Sequence, residues 1–377
     1  MNHTAYTGTI YSGLAITTAV LAFITSIGLM GLSIGNLTGE TSSMIFAAIE
    51  NPFIGLFIGL LSTALLQSSS TTTSIVVAAV AAEAIHLSDA IPIIMGANVG
   101  TTLTSTIVSM GYITKTKEFR RAVAAGTIHD FFNILMVIVL FPIEMKYHLL
   151  ENCSVFISDL LGIEGGGHSS GYNPLSFLNV MNDWIVLKTG GILGLIISII
   201  ILFACIKFIS KLLYNTLIGK RKKKFETTVF SNTFRSFGWG LLITSVVQSS
   251  SLTTSLIVPL VATRKVKLKR AFQFILGANI GTTITALLAA LFQSEAAINI
   301  ALVHLLFNSL GVSLFLIPYL SSFLLFIAKK MGELTLRMRV VGFAYILFMF
   351  FMIPFTLIYF SRGFEKSINP SEIHSER

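Results

Sequence analysis

The sequence predicts an all-α polytopic membrane protein with two inverted-topology repeats, each containing a re-entrant hairpin and a broken transmembrane helix. Three observations predict this fold class. Of the 377 residues, 54% are hydrophobic and only 11% are charged, whereas soluble domains contain about 25% charged residues. A polar segment is duplicated in the two halves of the chain. The loops that flank the two copies carry charges of opposite sign.

Five strongly apolar segments with few charged residues have about the 20 residues that a spanning helix needs. They cover residues 12–35, 122–141, 184–209, 298–317 and 340–360. The first lacks a basic leader and a small-residue cleavage site, so we expect a retained helix and not a cleaved signal peptide. The net charge of +9 is concentrated in short runs beside apolar segments, as orientation signals are. This distribution predicts no nucleic-acid partner.

The repeat aligns residues 67–104 with residues 248–285 at a constant offset of 181, with 20 identities in 38 positions. Each copy has a Gln-Ser-Ser-Ser block and a Gly-Ala-Asn block. A weaker match at offset 175 pairs His129, Phe132 and Asn133 with His304, Phe307 and Asn308. Uncharged polar runs are costly in lipid unless they face protein, a cavity or a ligand. Each copy is therefore predicted to face protein, a cavity or a ligand, which gives two such sites in the chain.

Loop charges predict that the two copies have opposite orientations. Between the polar blocks, the loop is acidic in the first half, with Glu83 and Asp89, and basic in the second half, at residues 264–270. After the second block the pattern reverses, with a basic loop at 115–121 and a lone Glu295 in the second half. Cytoplasmic loops collect Lys and Arg. Equivalent loops thus lie on opposite sides, as in inverted repeats that enclose a site near the bilayer midplane.

The predicted path starts from a cytoplasmic N-terminus. From there we expect an outward helix over 12–35, a re-entrant hairpin over 51–82 and an inward helix over 90–112 that is broken at 96–100. An outward helix over 122–147, an external loop over 148–183 and an inward helix over 184–209 follow, and they lead to a basic cytoplasmic run at 220–224. The second half then has a second hairpin, an outward helix over 271–293, an inward helix over 298–317 and a last helix over 340–360. The acidic loop and the basic runs at 220–224 and 329–339 agree with this path. In the alternative, each Gln-Ser-Ser-Ser block kinks a full spanning helix.

This path divides the chain into six parts. They are an N-terminal helix and connector at 1–50, transport repeat 1 at 51–147, an external loop at 148–183, a linking helix and basic loop at 184–232, transport repeat 2 at 233–320, and an amphipathic connector, last helix and tail at 321–377.

The polar blocks supply oxygen atoms suited to a dehydrated alkali cation, and the N-termini of half-helices suit an anion. Glycines at 96, 100, 277 and 281 are expected to permit the helix break. In the alternative, these small residues form close-packed helix interfaces. Neither polar block nor the deep part of the spans contains Lys or Arg. An anion would therefore depend on hydroxyls, helix N-termini and co-bound cations.

Asp130 is the one acidic residue that is both deep in a predicted span and close to the repeat unit. It shares a helical face with Asn133, and Leu305 stands at the corresponding position of the second half. This pattern predicts a cation site in one half only, or a structural carboxylate paired with a hydroxyl or with Arg121. His129 and His304 are expected to form packing hydrogen bonds.

Several motifs resemble the type II sodium-phosphate cotransporter family over residues 50–320. They are the two Gln-Ser-Ser-Ser blocks, the two Gly-Ala-Asn blocks, Glu-Phe-Arg-Arg-Ala at 118–122 and His-Asp-Phe-Phe-Asn at 129–133. The resemblance implies sodium-driven uptake of inorganic phosphate by a multi-pass protein of the plasma membrane. It also implies net charge movement, because family members with Asp at the position of Asp130 are electrogenic. The short loop between the repeats is similar to a compact bacterial member of the inner membrane.

The resemblance and the pseudo-symmetry together define two sets of candidate residues. The phosphate set is Ser68, Ser69, Ser70, Ser249, Ser250, Ser251, Asn98 and Asn279. The sodium set is Gln67, Gln248, Ser249, Thr282, Thr285, Thr101, Thr104, Asp130 and Asn133. No cofactor is expected beyond the coupling sodium ions. No enzyme is expected either, because the sequence has no paired carboxylates or nucleophile-base set. A carrier of another small anion, such as a carboxylate, and a phosphate-binding regulator without transport remain as alternatives.

Overall fold

The computed structural model describes residues 3–37, 49–162, 177–214, 227–291 and 293–368. The described chain is helical, which confirms the predicted all-helical polytopic class. Its helices are α1 His3–Gly35, α2 Pro52–Leu66, α3 Ser69–Ala81, α4 Leu87–Met110, α5 Thr116–Tyr147, α6 Leu149–Leu160, α7 Phe177–Tyr214, α8 Thr233–Val247, α9 Ser250–Ser255, α10 Ile257–Ala262, α11 Leu268–Ala290, α12 Glu295–Leu316, α13 Pro318–Arg337, α14 Val340–Leu347 and α15 Ile353–Ile368. The predicted basic run at 220–224 and residues 163–176 of the predicted external loop lie outside the described residues.

Seven of the described helices are long and apolar enough to cross a membrane. Six of them are α1, α4, α5, α7, α11 and α12, and the seventh joins α14 to α15 through a π-helical turn at Phe348–Met352. These seven coincide with the apolar segments and the two Gly-Ala-Asn helices that the sequence predicts. The protein is therefore a multi-pass membrane protein.

Helix α7 changes direction at Gly190, whose φ of 76° and ψ of 173° are open to glycine and strained for other residues. The sequence predicts one span that begins at residue 184. The structure instead divides this apolar segment, so the regular helix toward Tyr214 begins after Gly190.

The prediction of broken helices is wrong, because α4 and α11 continue without interruption through the Gly-Ala-Asn blocks. The glycines serve close packing instead. A Cβ atom on Gly96 would lie 1.9 Å from the carbonyl oxygen of Leu56, and one on Gly277 would lie 2.0 Å from that of Phe237. Small residues allow membrane helices to approach this closely. The alternative interpretation of these glycines is therefore the correct one.

Each Gln-Ser-Ser-Ser block forms the turn of a helical hairpin. We name α2 with α3 the first hairpin, and α8 with α9 and α10 the second hairpin. The chain reverses at Gln67 and Gln248, which have left-handed φ values of 52° and 56°. The next residue, Ser68 or Ser249, caps the following helix by accepting a backbone N–H bond. The two copies of the sequence repeat thus fold in the same way locally.

A matching pair of threonines closes each hairpin. The hydroxyl oxygens of Thr63 and Thr72 are 2.9 Å apart in the first hairpin, and those of Thr244 and Thr253 are 2.9 Å apart in the second. The second arms differ, since α9 and α10 are separate while α3 is one helix. Pro259 accounts for the difference, because it has no N–H to donate to the preceding helical turn.

Opposite charges collect at the two ends of α5. Near its start, a cleft is lined by basic residues from α5, from the segment before α11 and from α13. At its other end, Glu144 accepts bonds from the backbone N–H groups of Leu150 and Glu151. Asp89 lies close enough to Glu50 and Glu151 to be repelled by their negative charges, so these acidic residues belong to the same end of the protein. A helix of this length is about 48 Å long, so the two charge clusters lie on opposite faces of the protein.

Candidate functional site

The turns of the two hairpins meet inside the protein. The Ser70 hydroxyl donates to the carbonyl oxygen of Gln248 at 2.9 Å and lies 3.4 Å from the Thr285 hydroxyl. The hydroxyl oxygens of Ser105 in α4 and Thr254 in α9 are 3.2 Å apart. The structure thus brings together the Gln-Ser-Ser-Ser blocks that are 181 residues apart in the sequence.

Several hydroxyls near this junction are buried without a protein partner. The side chains of Ser250, Ser251 and Thr282 are 2%, 5% and 3% exposed, and their hydroxyl oxygens have no hydrogen bond to the described protein. A buried polar group left unpaired costs about 1–3 kcal/mol, so such oxygens are expected to bind water, an ion or a ligand. In the first half, by contrast, the Thr101 hydroxyl donates to the Ala97 carbonyl at 2.9 Å. At this pair of equivalent positions only Thr282 of the second half keeps a free hydroxyl oxygen, although Thr73 and Ser74 of the first hairpin also have buried hydroxyls without a partner in the described protein.

A cavity of about 170 Å³, which we name the tip cavity, opens between the two hairpin turns and α7. Its polar lining consists of Gln67, Ser68, Thr71, Ser249, Lys207 and Ser210. The polar blocks themselves contain no Lys or Arg, as the sequence indicates, but Lys207 of α7 is among the residues that line the cavity. Lys207 thus places a fixed positive charge beside this cavity, which was not anticipated from the sequence.

Sequence reasoning missed Lys207 because its helix lies outside both repeats. The available signal was a lysine four residues before the end of a long apolar stretch that continues to Lys211. The ammonium group of Lys207 lies 5.2 Å from the ring centre of Phe203, one turn earlier.

Four asparagines form a network at the centre of the protein. Asn133 donates to the Asn98 carbonyl at 2.7 Å, and Asn279 donates to the side-chain oxygen of Asn133 at 3.2 Å. Asn308 donates to the side-chain oxygen of Asn98 at 3.1 Å, and the Asn98 amide donates to the Ile94 carbonyl. The network links α4 and α5 of the first half to α11 and α12 of the second.

The amide network gives Asn98 and Asn279 a different position from the serines of the phosphate set. Neither asparagine lines the tip cavity. His129 contributes to the network, since its Nε2 atom lies 2.7 Å from the Asn279 side-chain oxygen, as a packing hydrogen bond would. Both ring nitrogens of His304 are buried without a partner in the described protein.

Asp130 is fully buried in α5 and accepts two side-chain hydrogen bonds. Its Oδ2 atom accepts from the Thr106 hydroxyl at 2.6 Å and from the Tyr345 hydroxyl at 3.1 Å. Its Oδ1 atom has no hydrogen-bond partner in the described protein, and the Thr102 side chain also lies near the carboxyl group. Arg121 does not pair with it, because its Nε donates to the Ala262 carbonyl at 2.7 Å. A buried carboxylate that has one oxygen atom bonded and the other free is suited to binding a cation.

Sequence reasoning also missed Thr106 and Tyr345 as partners of Asp130. Thr106 lies just beyond the aligned repeat, and Tyr345 belongs to the last helix, outside both repeats. The available signal was a single tyrosine near the start of a strongly apolar span, because a buried hydroxyl needs a partner.

The structure thus sorts the candidate residues into four groups. The hairpin turns hold Gln67, Ser68, Ser69, Ser70, Gln248, Ser249, Ser250 and Ser251, with Thr282 and Thr285 in the adjacent helix α11. The central network holds Asn98, Asn133 and Asn279. Asp130 lies beside Thr106. Thr101 and Thr104 belong to α4, where Thr101 is bonded to its own helix and Thr104 is half-buried.

Comparison with known proteins assigns this architecture to a family. Residues 22–154 and 201–354 match the family described as Na+/Pi-cotransporter. The chain is 30% identical to the human sodium-dependent phosphate transport protein 2B over an alignment that is 436 positions long with its gaps and covers 89% of this chain and 63% of the human protein. It is also 30% identical to the sheep (Ovis aries) sodium-dependent phosphate transport protein 2A, with 88% and 65% covered. The chain thus spans less than two thirds of the length of these curated relatives. No solved structure matches the chain. The match over both halves shows that the chain belongs to the Na+/Pi-cotransporter family.

Proposed function

We propose that the protein is a sodium-coupled symporter that imports inorganic phosphate by alternating access. The observation that carries this proposal is the contact between the two Gln-Ser-Ser-Ser turns, beside buried hydroxyls without a protein partner. Family membership supports it, as do the names of the relatives, which are sodium-dependent phosphate transport proteins. No cofactor beyond coupling sodium ions enters the proposal.

Phosphate is proposed to bind at the hairpin turns, in and beside the tip cavity. Its oxygens accept hydrogen bonds, and the cavity offers hydroxyl donors from Ser68, Thr71, Ser249 and Ser210. Lys207 adds a charge-assisted donor, which is stronger than a neutral one. Asn98 and Asn279, whose polar atoms are engaged in the central network, hold the two halves in register in this proposal.

One sodium ion is proposed to bind where the hairpin turns meet α11. The Gln248 carbonyl oxygen and the Thr285 hydroxyl both lie within 3.4 Å of the Ser70 hydroxyl. Thr282 lies on the same face of α11, three residues earlier, and has a buried hydroxyl without a partner. Hard oxygen atoms of this kind suit an alkali cation. We propose no equivalent sodium site in the first half, because the hydroxyl of Thr101, which corresponds to Thr282, is already bonded to the Ala97 carbonyl.

A second sodium ion is proposed to bind at Asp130 through its unpartnered Oδ1 atom. The second half has Leu305 at the corresponding position, so this site breaks the pseudo-symmetry. The carboxylate offsets one sodium charge in the loaded carrier and leaves one negative charge in the empty carrier, which makes the transport cycle electrogenic in this proposal.

Inverted repeats and re-entrant hairpins are proposed for the membrane topology. The basic residues around Arg121, Arg264 and Lys329 converge at one end of the protein, while Asp89 and Glu151 lie at the other. The positive-inside rule makes the basic end cytoplasmic. In this orientation the N-terminus is cytoplasmic. With it we propose an inner-membrane location in a bacterial cell, as the family resemblance implies, and transport repeats over 51–147 and 233–320.

Uptake by the purified protein in proteoliposomes tests the proposed function. We expect phosphate accumulation with a sodium gradient, and none with a potassium gradient of equal size. Uptake that is indifferent to sodium would refute sodium coupling. Competition by carboxylates with labelled phosphate would indicate a carrier of another anion, and bound phosphate without turnover would indicate a regulator.

Lys207→Gln is expected to raise the phosphate concentration for half-maximal uptake about tenfold, because a charge-assisted hydrogen bond contributes about 1.5 kcal/mol or more. The sodium dependence should stay unchanged. Lys211→Gln is the matched control, since Lys211 lies one turn further along α7 and does not line the tip cavity. Equal effects of the two substitutions on phosphate dependence would exclude Lys207 from the site.

Tyr345→Phe is expected to raise the sodium concentration for half-maximal uptake about tenfold, because the Asp130 carboxylate loses one of its two positioning donors. The phosphate dependence and the thermal unfolding midpoint should change little. Tyr359→Phe is the control, since Tyr359 is 76% exposed on the same last helix. An unchanged sodium dependence in Tyr345→Phe would mean that the hydroxyl only packs against Asp130.

A further inference from the structure

A cleft of about 560 Å³ opens at the basic end of the protein, far from the hairpin turns. Its charged lining comes from three separate segments: Arg120 and Arg121 of α5, Arg264 and Lys267 before or at the start of α11, and Lys329 and Glu333 of α13. Its volume falls within the range of about 300–1,000 Å³ that is usual for small-molecule sites. Nothing in the proposed transport mechanism uses these residues.

The cleft has a large surplus of positive charge. Five cations and one carboxylate line it, which leaves four uncompensated positive charges. The carboxylate, Glu333, also lies 3.6 Å from the ammonium group of Lys330. Within the described residues, Arg121 is the one cation of the five whose side chain bonds to protein. Like charges held this close repel one another, so an anionic ligand is favoured.

The charge surplus indicates a ligand with more than one phosphate group. A single phosphate carries about two negative charges at neutral pH, which leaves part of the surplus uncompensated. The cleft also has apolar walls at Ala124, Val261, Val266 and Leu268. Arg120, Arg121 and Lys267 lie within two turns of the ends of helices that are long enough to span a membrane. The cleft therefore lies at the level of the lipid headgroups, where basic pockets between helices bind phosphate groups of lipids.

We propose that this cleft binds an anion that carries at least two phosphate groups, either a lipid headgroup or a soluble polyphosphate. Such a ligand touches both halves of the protein, since α5 belongs to the first half and the Arg264–Lys267 segment to the second. The bond from Arg121 to the Ala262 carbonyl already joins the halves at this point. A bound ligand adds ionic contacts across the same junction.

Direct binding to the full-length protein tests the proposal without any transport measurement. One arm titrates inorganic tripolyphosphate into protein in phosphatidylcholine nanodiscs. A second arm measures binding of labelled cardiolipin, a lipid with two phosphate groups, and a third arm titrates orthophosphate. The cleft variant is Lys267→Gln/Lys329→Gln. The matched control is Lys117→Gln/Lys269→Gln, which removes two exposed lysines from the same end of the protein that do not line the cleft.

We expect saturable binding of tripolyphosphate, cardiolipin or both, weakened about thirtyfold in the cleft variant and nearly unchanged in the control. Binding of cardiolipin alone identifies a lipid headgroup as the ligand, and binding of tripolyphosphate alone identifies a soluble one. Absence of saturable binding in both arms overturns the proposal. Equal weakening in the control also overturns it, as does orthophosphate binding that is as tight as that of tripolyphosphate and is weakened to the same extent by the cleft substitutions. Size-exclusion profiles establish that both variants are folded. Sodium-dependent phosphate uptake is measured in a separate experiment, so failure of the cleft proposal leaves the proposed transport function unaffected.

Discussion

Gly96→Ala is expected to prevent α2 and α4 from packing and to reduce sharply the yield of folded protein. The new Cβ would lie 1.9 Å from the Leu56 carbonyl oxygen, 2.8 Å from its carbonyl carbon and 2.9 Å from the Leu60 nitrogen. All three are backbone atoms, so no side chain can rotate away. Overpacking typically costs about 1–3 kcal/mol, and we expect a loss of about 3 kcal/mol or more here. The measurement is the monodisperse fraction and the unfolding midpoint in detergent.

Gly31→Ala is the control for this prediction. The nearest atom to a Cβ on Gly31 is the Ala78 carbonyl oxygen at 3.8 Å, an ordinary contact. Because alanine has the higher helix propensity, stability should be unchanged or slightly improved. If Gly96→Ala folds as well as Gly31→Ala, the close approach of α2 and α4 is wrong.

The glycines also show where sequence reasoning about this fold reached its limit. The duplicated pattern and the apolar segments predict the helical class and its spans, because lipid leaves few alternatives. A glycine in a spanning helix, however, suits either a break in the backbone or a close helix contact. Gly96 and Gly277 occupy equivalent positions in the repeat, so the repeat itself cannot distinguish these uses. Only the neighbouring helix, which is more than 30 residues away in the sequence, decides between them.

The candidate site was predictable wherever the repeat marks it. The turns at Ser68 and Ser249 meet as expected, because both hairpins carry the same polar block. Lys207 and Tyr345 were missed because each belongs to a helix outside the repeats and reaches the site only through packing. Asn98 was grouped with the serines on chemistry alone, yet its side chain is bonded within the central network.

Asp130→Asn is expected to remove one positive charge from the net charge that moves with each phosphate. The asparagine keeps the shape of the carboxylate and one acceptor oxygen for Thr106 and Tyr345. It loses the negative charge that offsets a bound sodium ion in this buried site. The proposed sodium ion at Asp130 would then be too costly to desolvate, and coupling through this site would be lost. Radiolabelled phosphate uptake and current, recorded together on the same membrane, give the charge per phosphate.

The size of this effect separates a coupling role from a structural one. One charge that crosses about 100 mV contributes about 2.3 kcal/mol, which corresponds to a factor of about 50 in the phosphate gradient that the carrier can sustain. Thr106→Val is the control, because it removes a hydrogen bond to Asp130 and leaves the charge in place. It should weaken sodium activation while the charge per phosphate stays the same. If Asp130→Asn transports phosphate with its charge per phosphate unchanged, the carboxylate serves the fold through Thr106 and Tyr345, and the coupling ion binds elsewhere.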